Sequence, residues 1–241
     1  AVRIDAITDD GQYHAWTEIN VPQRPFEIEN VDTVTVPLAQ SGYTTEYLRY
    51  RITINDRPNE TNYYRIVIDK QTTLWGYNHE EGGDDYIYWT KHSYNFIGRE
   101  DVVLTDGQPT TGDDEDNGLF DTAKNIYGVF DDTRFRNTSY TMTVYNNTKI
   151  ETGSDSGYFS GMDVIIRLMS ITETEYYYLK ALNLVDSDAY DETINEPIKY
   201  PSNVHGGTGM VGISTEVTQT IHIISSSHSK GNLAPPVHVY Q

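Results

Sequence analysis

The chain has 241 residues, enough to bury a sizeable core as one large domain or two smaller ones. Seventeen basic against 36 acidic residues give a net charge of −19, which repels a nucleic-acid backbone and argues against that partner class. There is no cysteine, which removes disulfides, thiolate metal sites and a cysteine nucleophile, and no apolar run approaches the roughly 18 residues a membrane helix needs.

From the N-terminus, "VRIDAI" and "YHAWTEINV" alternate like strands, and Asp10-Gly11 between them is a strong hairpin signal. The chain opens on "AVRIDAI" without Met or a leader pattern. Residues 1–21 therefore read as terminal strands of a mostly missing N-terminal β-domain, whose upstream part the gene is expected to encode. In "VPQRPFEI", Pro22 and Pro25 remove ladder donors and favour an extended linker over residues 22–26. The main β-domain is expected over residues 27–241.

In "EYLRYRITIND", Leu48, Tyr50, Ile52 and Ile54 share one face and Arg49, Arg51, Thr53 and Asn55 the other, the period of a half-buried antiparallel strand. "NYYRIVID", "YTMTVYN", "DVIIRLMSI" and "EVTQTIHIIS" repeat that grammar, with turn signals such as Asp106-Gly107 between runs. One segment departs from it. In "SITETEYYYLKALNLVDSDAYDE", Thr172 and Glu175 have capping-box spacing and apolar residues recur at helical intervals. The expected fold is all-β, a mainly antiparallel sandwich or barrel-like arrangement of sheets, with one helix over residues 173–190. No repeat of fixed period points to a propeller or solenoid.

Trp75, Tyr77, Tyr86, Tyr88 and Trp89 flank an acidic tip containing Glu80, Glu81, Asp84 and Asp85, with Gly82-Gly83 permitting a tight turn. These aromatics form the candidate ligand- or partner-binding cluster, against the plainer reading of a hairpin with core-facing rings and solvated acids. His79 lacks the second histidine four residues on that a helical zinc site requires. In "GDDEDNGLFD", Asp113, Glu115 and Asn117 have the first half of a calcium-loop spacing, but Lys124 stands where the bidentate Glu belongs. That excludes a helix-loop-helix calcium site and leaves a looser Ca²⁺ site from the same oxygens as the one cofactor candidate. "GSDSGYFSG" lacks the residues a serine nucleophile turn needs around Ser156. Gly207, Gly209 and Gly212 spell G-x-G-x-x-G, but no strand precedes them, no helix follows and no acidic partner lies about 20 residues on, so a close-packed turn is expected instead of a phosphate cradle. No catalytic residue is assigned.

"GQYHAWTEINVPQRPFEIENV", "YRITINDRPNETNYYRIVID", "VFDDTRFRNTSYTMTVY", "VIIRLMSITETEYYYLKAL" and "NEPIKYPSNVHGGTGMVGIST" follow one another in an order that resembles domain-of-unknown-function family 4249 over residues 11–216. The resemblance implies a Bacteroidota outer-membrane lipoprotein encoded near TonB-dependent receptors, with a signal, a lipidated cysteine and a further β-domain ahead of this segment. It implies membrane association only through that upstream anchor, a surface-facing or periplasm-facing location, and a TonB-dependent receptor or other outer-membrane protein as partner. The family has no established catalytic residues to carry over. Two functions follow as expectations: a non-catalytic module assisting uptake of a glycan, peptide or chelate, and alternatively a carboxylate-based hydrolase of a polymeric nutrient. Within that phylum, "DTA" around Thr122 and "DTV" around Thr33 resemble a short O-glycosylation acceptor pattern.

Overall fold

Period-two alternation becomes burial most clearly in the longest strands. A computed structural model describes residues 1–40, 43–77, 86–94, 98, 101–107, 125–147, 158–186 and 198–223. Its strands are β1 (Val2–Ile7), β2 (His14–Ile19), β3 (Asn30–Gln40), β4 (Tyr43–Asn55), β5 (Tyr63–Tyr77), β6 (Tyr86–Ser93), β7 (Val129–Asp131), β8 (Ser139–Asn147), β9 (Tyr158–Ile171) and β10 (Thr215–Ile223), with helix α1 (Glu173–Val185) between the last two. All described pairings are antiparallel.

Two sheets face each other. One has the order β3-β4-β8; the other runs β10-β9-β5-β6, with β7 also pairing β5. Leu48, Tyr50, Ile52 and Ile54 of β4, with Met142 and Val144 of β8, pack against Ile66 and Ile68 of β5, Val164, Ile166 and Leu168 of β9, and Val217 of β10. The alternation of β4 read from the sequence is the alternation that buries it. Pro37 lies within β3, an edge of the three-stranded sheet, where a missing amide donor costs no central ladder bond.

Three buried carboxylates fix the turns between these strands. Asp56 accepts the Asn137 amide at 2.8 Å and Asp132 accepts the Asn62 amide at 2.8 Å. Asn62 Nδ2 bonds back to Asp132 at 3.1 Å and to the Arg57 carbonyl at 3.1 Å. Asp101 accepts the amides of Val103, Leu104 and Thr143 at 3.0, 3.1 and 2.8 Å. Each supplies an acceptor to backbone groups that would otherwise be buried without one.

Helix α1 lies over one end of the outer face of the five-stranded sheet, where Tyr176 and Leu179 pack with Val129 and Ile171. Thr172 caps it, accepting the Glu175 amide at 3.2 Å. The helix stops at Val185, earlier than the expected residue 190, with Asp186 as its C-cap. Asp186 accepts from the Tyr127 hydroxyl at 2.6 Å, and the sequence Asp-Ser-Asp supplies poor helix formers and also negative charge at the C-terminal end of the helix dipole, which disfavours it.

The β1–β2 hairpin forms its own two-stranded sheet, joined to the glycine-rich tail. Trp16 and His205 exchange backbone hydrogen bonds at 2.9 and 2.8 Å, and their rings stack 4.2 Å apart. The linker runs beside β10, where the Pro22 carbonyl accepts from Thr215 and Arg24 donates to the Glu216 carbonyl.

Candidate functional site

Among the described residues, β6 has one strand neighbour, β5, and so forms an edge of the five-stranded sheet. Alternation along it sends Tyr88, Thr90, His92 and Tyr94 to the exposed outer face, and Trp89, Lys91 and Ser93 to a half-buried inner one. Tyr88 is 42% exposed and Tyr94 57%. These rings are large apolar surfaces with polar tips, presented in a row on one strand.

His92 is held within that row. Its Nδ1 lies 2.9 Å from Asp69 Oδ1, and the Asp69 side chain is 4% exposed while His92 is 43% exposed. Gln71 Nε2 donates to the other Asp69 oxygen at 2.7 Å. A carboxylate accepts but does not donate, so His92 Nδ1 carries the proton of this pair, which fixes the orientation of the ring. Tyr94 stacks on the imidazole, with centroids 6.1 Å apart and planes 21° from parallel. The register sets Gln71 opposite both His92 of β6 and Asp163 of β9, and Asp163 opposite His222 of β10. Asp163 and His222 form a second carboxylate–imidazole pair at 2.7 Å on the same sheet face.

On the inner side of the same edge is a small cavity of about 180 Å³, lined among the described residues by Lys70, Thr72, Lys91, His92 and Ser93. Lys91 and Ser93 thus lie with Trp89 on the inner side of β6, and Tyr88 and His92 on the outer.

The expected binding cluster is divided by this arrangement. Tyr88 is exposed and Trp89 half-buried, while the backbone register pairs Trp75 with Tyr88 and Tyr77 with Tyr86. The side chains of Trp75, Tyr77 and Tyr86 lie outside the described residues, as do His79, Glu80, Glu81, Asp84, Asp85, Asp113, Glu115, Asn117, Thr122, Lys124 and Ser156. The Ca²⁺ reading, which rests on Asp113, Glu115 and Asn117, therefore also lies outside the described residues. Among the described residues, no three His, Asp or Glu side chains come together as a metal would require. Thr33 sits in β3 opposite Tyr50, and its hydroxyl oxygen is buried, so it offers no surface to a glycosylating enzyme in the folded chain.

Sequence reasoning missed His92, Tyr94 and Asp69. The available signal was the continued alternation of "YWTKHSY" past Trp89, together with a charged Asp69 in the apolar run "RIVID".

The glycine tail is a packing device. Gly206 has φ +76°, and a Cβ there would stand 2.3 Å from the His14 carbonyl oxygen. A Cβ on Gly212 would stand 2.8 Å from the Glu175 carboxylate. Asn203 closes the loop, donating to the Val211 carbonyl at 2.8 Å and accepting its amide at 2.9 Å. Residues 206–214 continue without helix into β10.

No curated protein and no solved structure matches the chain. A family model described as "Domain of unknown function (DUF4249)" matches residues 1–220, which takes in the N-terminal hairpin, both sheets, the helix and the tail loop. The chain belongs to the DUF4249 family.

Proposed function

We propose that this chain is a non-catalytic module of an outer-membrane lipoprotein from Bacteroidota, capturing a ligand for a TonB-dependent uptake system. The observation that carries the binding part is the row of Tyr88, Thr90 and His92 on edge strand β6 with Tyr94 just past its end, the histidine fixed by the buried Asp69. Rigid aromatic faces beside oriented hydrogen-bonding groups suit recognition of sugars, peptides or chelates, because flat apolar area is gained with little loss of side-chain freedom. The buried carboxylates Asp56, Asp101 and Asp132 are engaged by backbone amides, which gives them structural work. The assignment to an envelope uptake system rests on the motif resemblance set out above.

Affinity purification of the native lipoprotein from solubilised outer membranes of its host tests the partner. Recovery of a TonB-dependent receptor in stoichiometric amount is the expected result, and recovery of none overturns that part. The Tyr88→Ala/Tyr94→Ala double variant tests the surface. Both side chains are well exposed, so unfolding free energy should change by about 0.5 kcal/mol or less per site, while the captured partner or ligand is lost. Undiminished association of the folded double variant would place the binding surface elsewhere.

A further inference from the structure

Helix α1 lies over one end of the outer face of the five-stranded sheet, where it meets Val129 and Ile171. At the other end, the register sets His92 of β6, Gln71 of β5, Asp163 of β9 and His222 of β10 side by side across four strands. Three strand spacings make that row roughly 14 Å long. It faces solvent: the side chains of His92, Asp163 and His222 are 43%, 47% and 72% exposed. Its planar groups are already held, because Asp163 pairs with His222 Nδ1 at 2.7 Å while buried Asp69 accepts from Gln71 and His92. Side chains fixed in advance lose less rotamer freedom when a ligand arrives. Two positions along β9 from Asp163 stands Gly161, opposite Thr73 on the same face. Glycine weakens the interior of a strand, and the fold makes no demand for it here: its φ is not left-handed, even beside the register shift at Thr73 and Leu74, and no described atom lies within 4 Å of where its Cβ would be. The floor beside the polar row is low.

We infer that this end of the sheet is a seat for an uncharged oligosaccharide lying across the strands. Charge selects against an anionic chain, since neither the row of His92, Gln71, Asp163 and His222 nor the neighbouring row of Thr90, Thr73 and Gly161 carries Lys or Arg, while Asp163 stands within the first and Asp69 beside it. A sugar hydroxyl both donates and accepts, which suits a row that mixes carboxylate, carboxamide and imidazole. An extended peptide satisfies its amides best along a strand edge, not across a face of side chains. The exposed rings of Tyr88 and Tyr94 flank the β6 end of the row and offer apolar area to the C–H face of a pyranose. Within the capture reading above, on which this inference rests, the ligand class narrows from glycan, peptide or chelate to glycan.

Titration of the folded chain with neutral hexasaccharides of glucose, mannose, galactose and xylose, with hexagalacturonate and an uncharged hexapeptide as comparisons, tests it. Saturable chemical-shift changes at the amides of Gln71, Gly161 and Asp163 are expected with at least one neutral hexasaccharide and with neither comparison. Gly161→Val fills the floor with a good strand former, so it should leave the urea midpoint unchanged or higher and weaken binding at least tenfold. His222→Ala removes a side chain that is 72% exposed, so folding is retained, and should weaken binding about fivefold, the loss of one hydrogen bond. Absence of saturable shifts with every neutral hexasaccharide, tighter binding of hexagalacturonate or the hexapeptide, or undiminished affinity in either folded variant overturns the seat. Receptor co-purification is read independently of all these outcomes, so the capture reading and the glycan seat fail separately.

Discussion

Single residues explain why the tail motif has its glycines where it does. Gly206, not Gly207, is the position that cannot accept a side chain: its φ of +76° is left-handed, and its missing Cβ makes room for the His14 carbonyl. Gly207 has no positive φ, and its nearest neighbour to an added Cβ is a Val204 methyl at 3.5 Å, an ordinary contact. A phosphate-binding loop would make the opposite demand, with Gly207 as the first glycine of its fingerprint. Gly206→Ala should therefore lower unfolding free energy by about 2 kcal/mol or more and speed hydrogen exchange at the Trp16 and His205 amides, which tie the hairpin to the tail. Gly207→Ala should stay within about 1 kcal/mol of the parent. Equal losses in the two variants would show that the hairpin contact is not what fixes the loop.

At the scale of elements, two motifs that look separate in the sequence meet in the fold. The capping box at Thr172 and Glu175 forms only by half. Thr172 accepts the Glu175 amide, but the Glu175 carboxylate turns to the tail, where it takes a backbone bond at Ile213 and leaves Oε2 buried without a hydrogen-bond partner. Gly212 is small because that carboxylate occupies its Cβ position. Burial raises the Glu175 pKa above the ordinary value of 4.5, with the Arg65 charge and the Ile213 bond opposing the shift. A carboxyl raised on folding contributes stability below about pH 4.5 that is lost as pH rises through its folded value. Glu175→Gln stays neutral throughout, so its urea midpoint should gain on the parent between about pH 5 and pH 8 and should not fall below it at pH 8. A variant that loses ground over that interval would mean that the charged form is the one the tail holds. Strands with clean period-two burial, β4, β5, β8 and β9, were legible in the sequence because one face is apolar and the other polar. β3 is harder to read, since polar Thr33 lies opposite core residue Tyr50 while apolar Val34 is exposed, which blurs the alternation of "VDTVTVP". The Asp69–His92 pair was equally hidden, because the two residues are 23 positions apart and meet only through the β5–β6 register.

For the whole molecule, buried carboxylates and net charge act in the same direction. Asp56, like Glu175, has its pKa raised, chiefly by burial and further by the charge of Asp132, while the Asn137 amide opposes the shift. Both groups favour the folded state at lower pH, with a contribution that fades as pH climbs from the ordinary carboxylate range through their folded values. A net charge of −19 adds self-repulsion in the compact state, which also eases as carboxylates take up protons. Stability should consequently rise when pH is lowered from about 8 to about 5, opposite to a protein whose carboxylates are mainly stabilised by cations. Salt separates the two causes. Surface repulsion is screened over about 3 Å at 1 M ionic strength, whereas desolvation of buried Asp56 and Glu175 is not, so roughly 0.5–1 M NaCl should raise the urea midpoint at pH 8 and leave a residual pH dependence. That residual should shrink in Glu175→Gln and shrink again when Asp56→Asn is added. A midpoint lower at pH 5 than at pH 8 would mean that carboxylates stabilised in their charged form outweigh both terms. A pH dependence abolished entirely by salt would assign it to the surface alone.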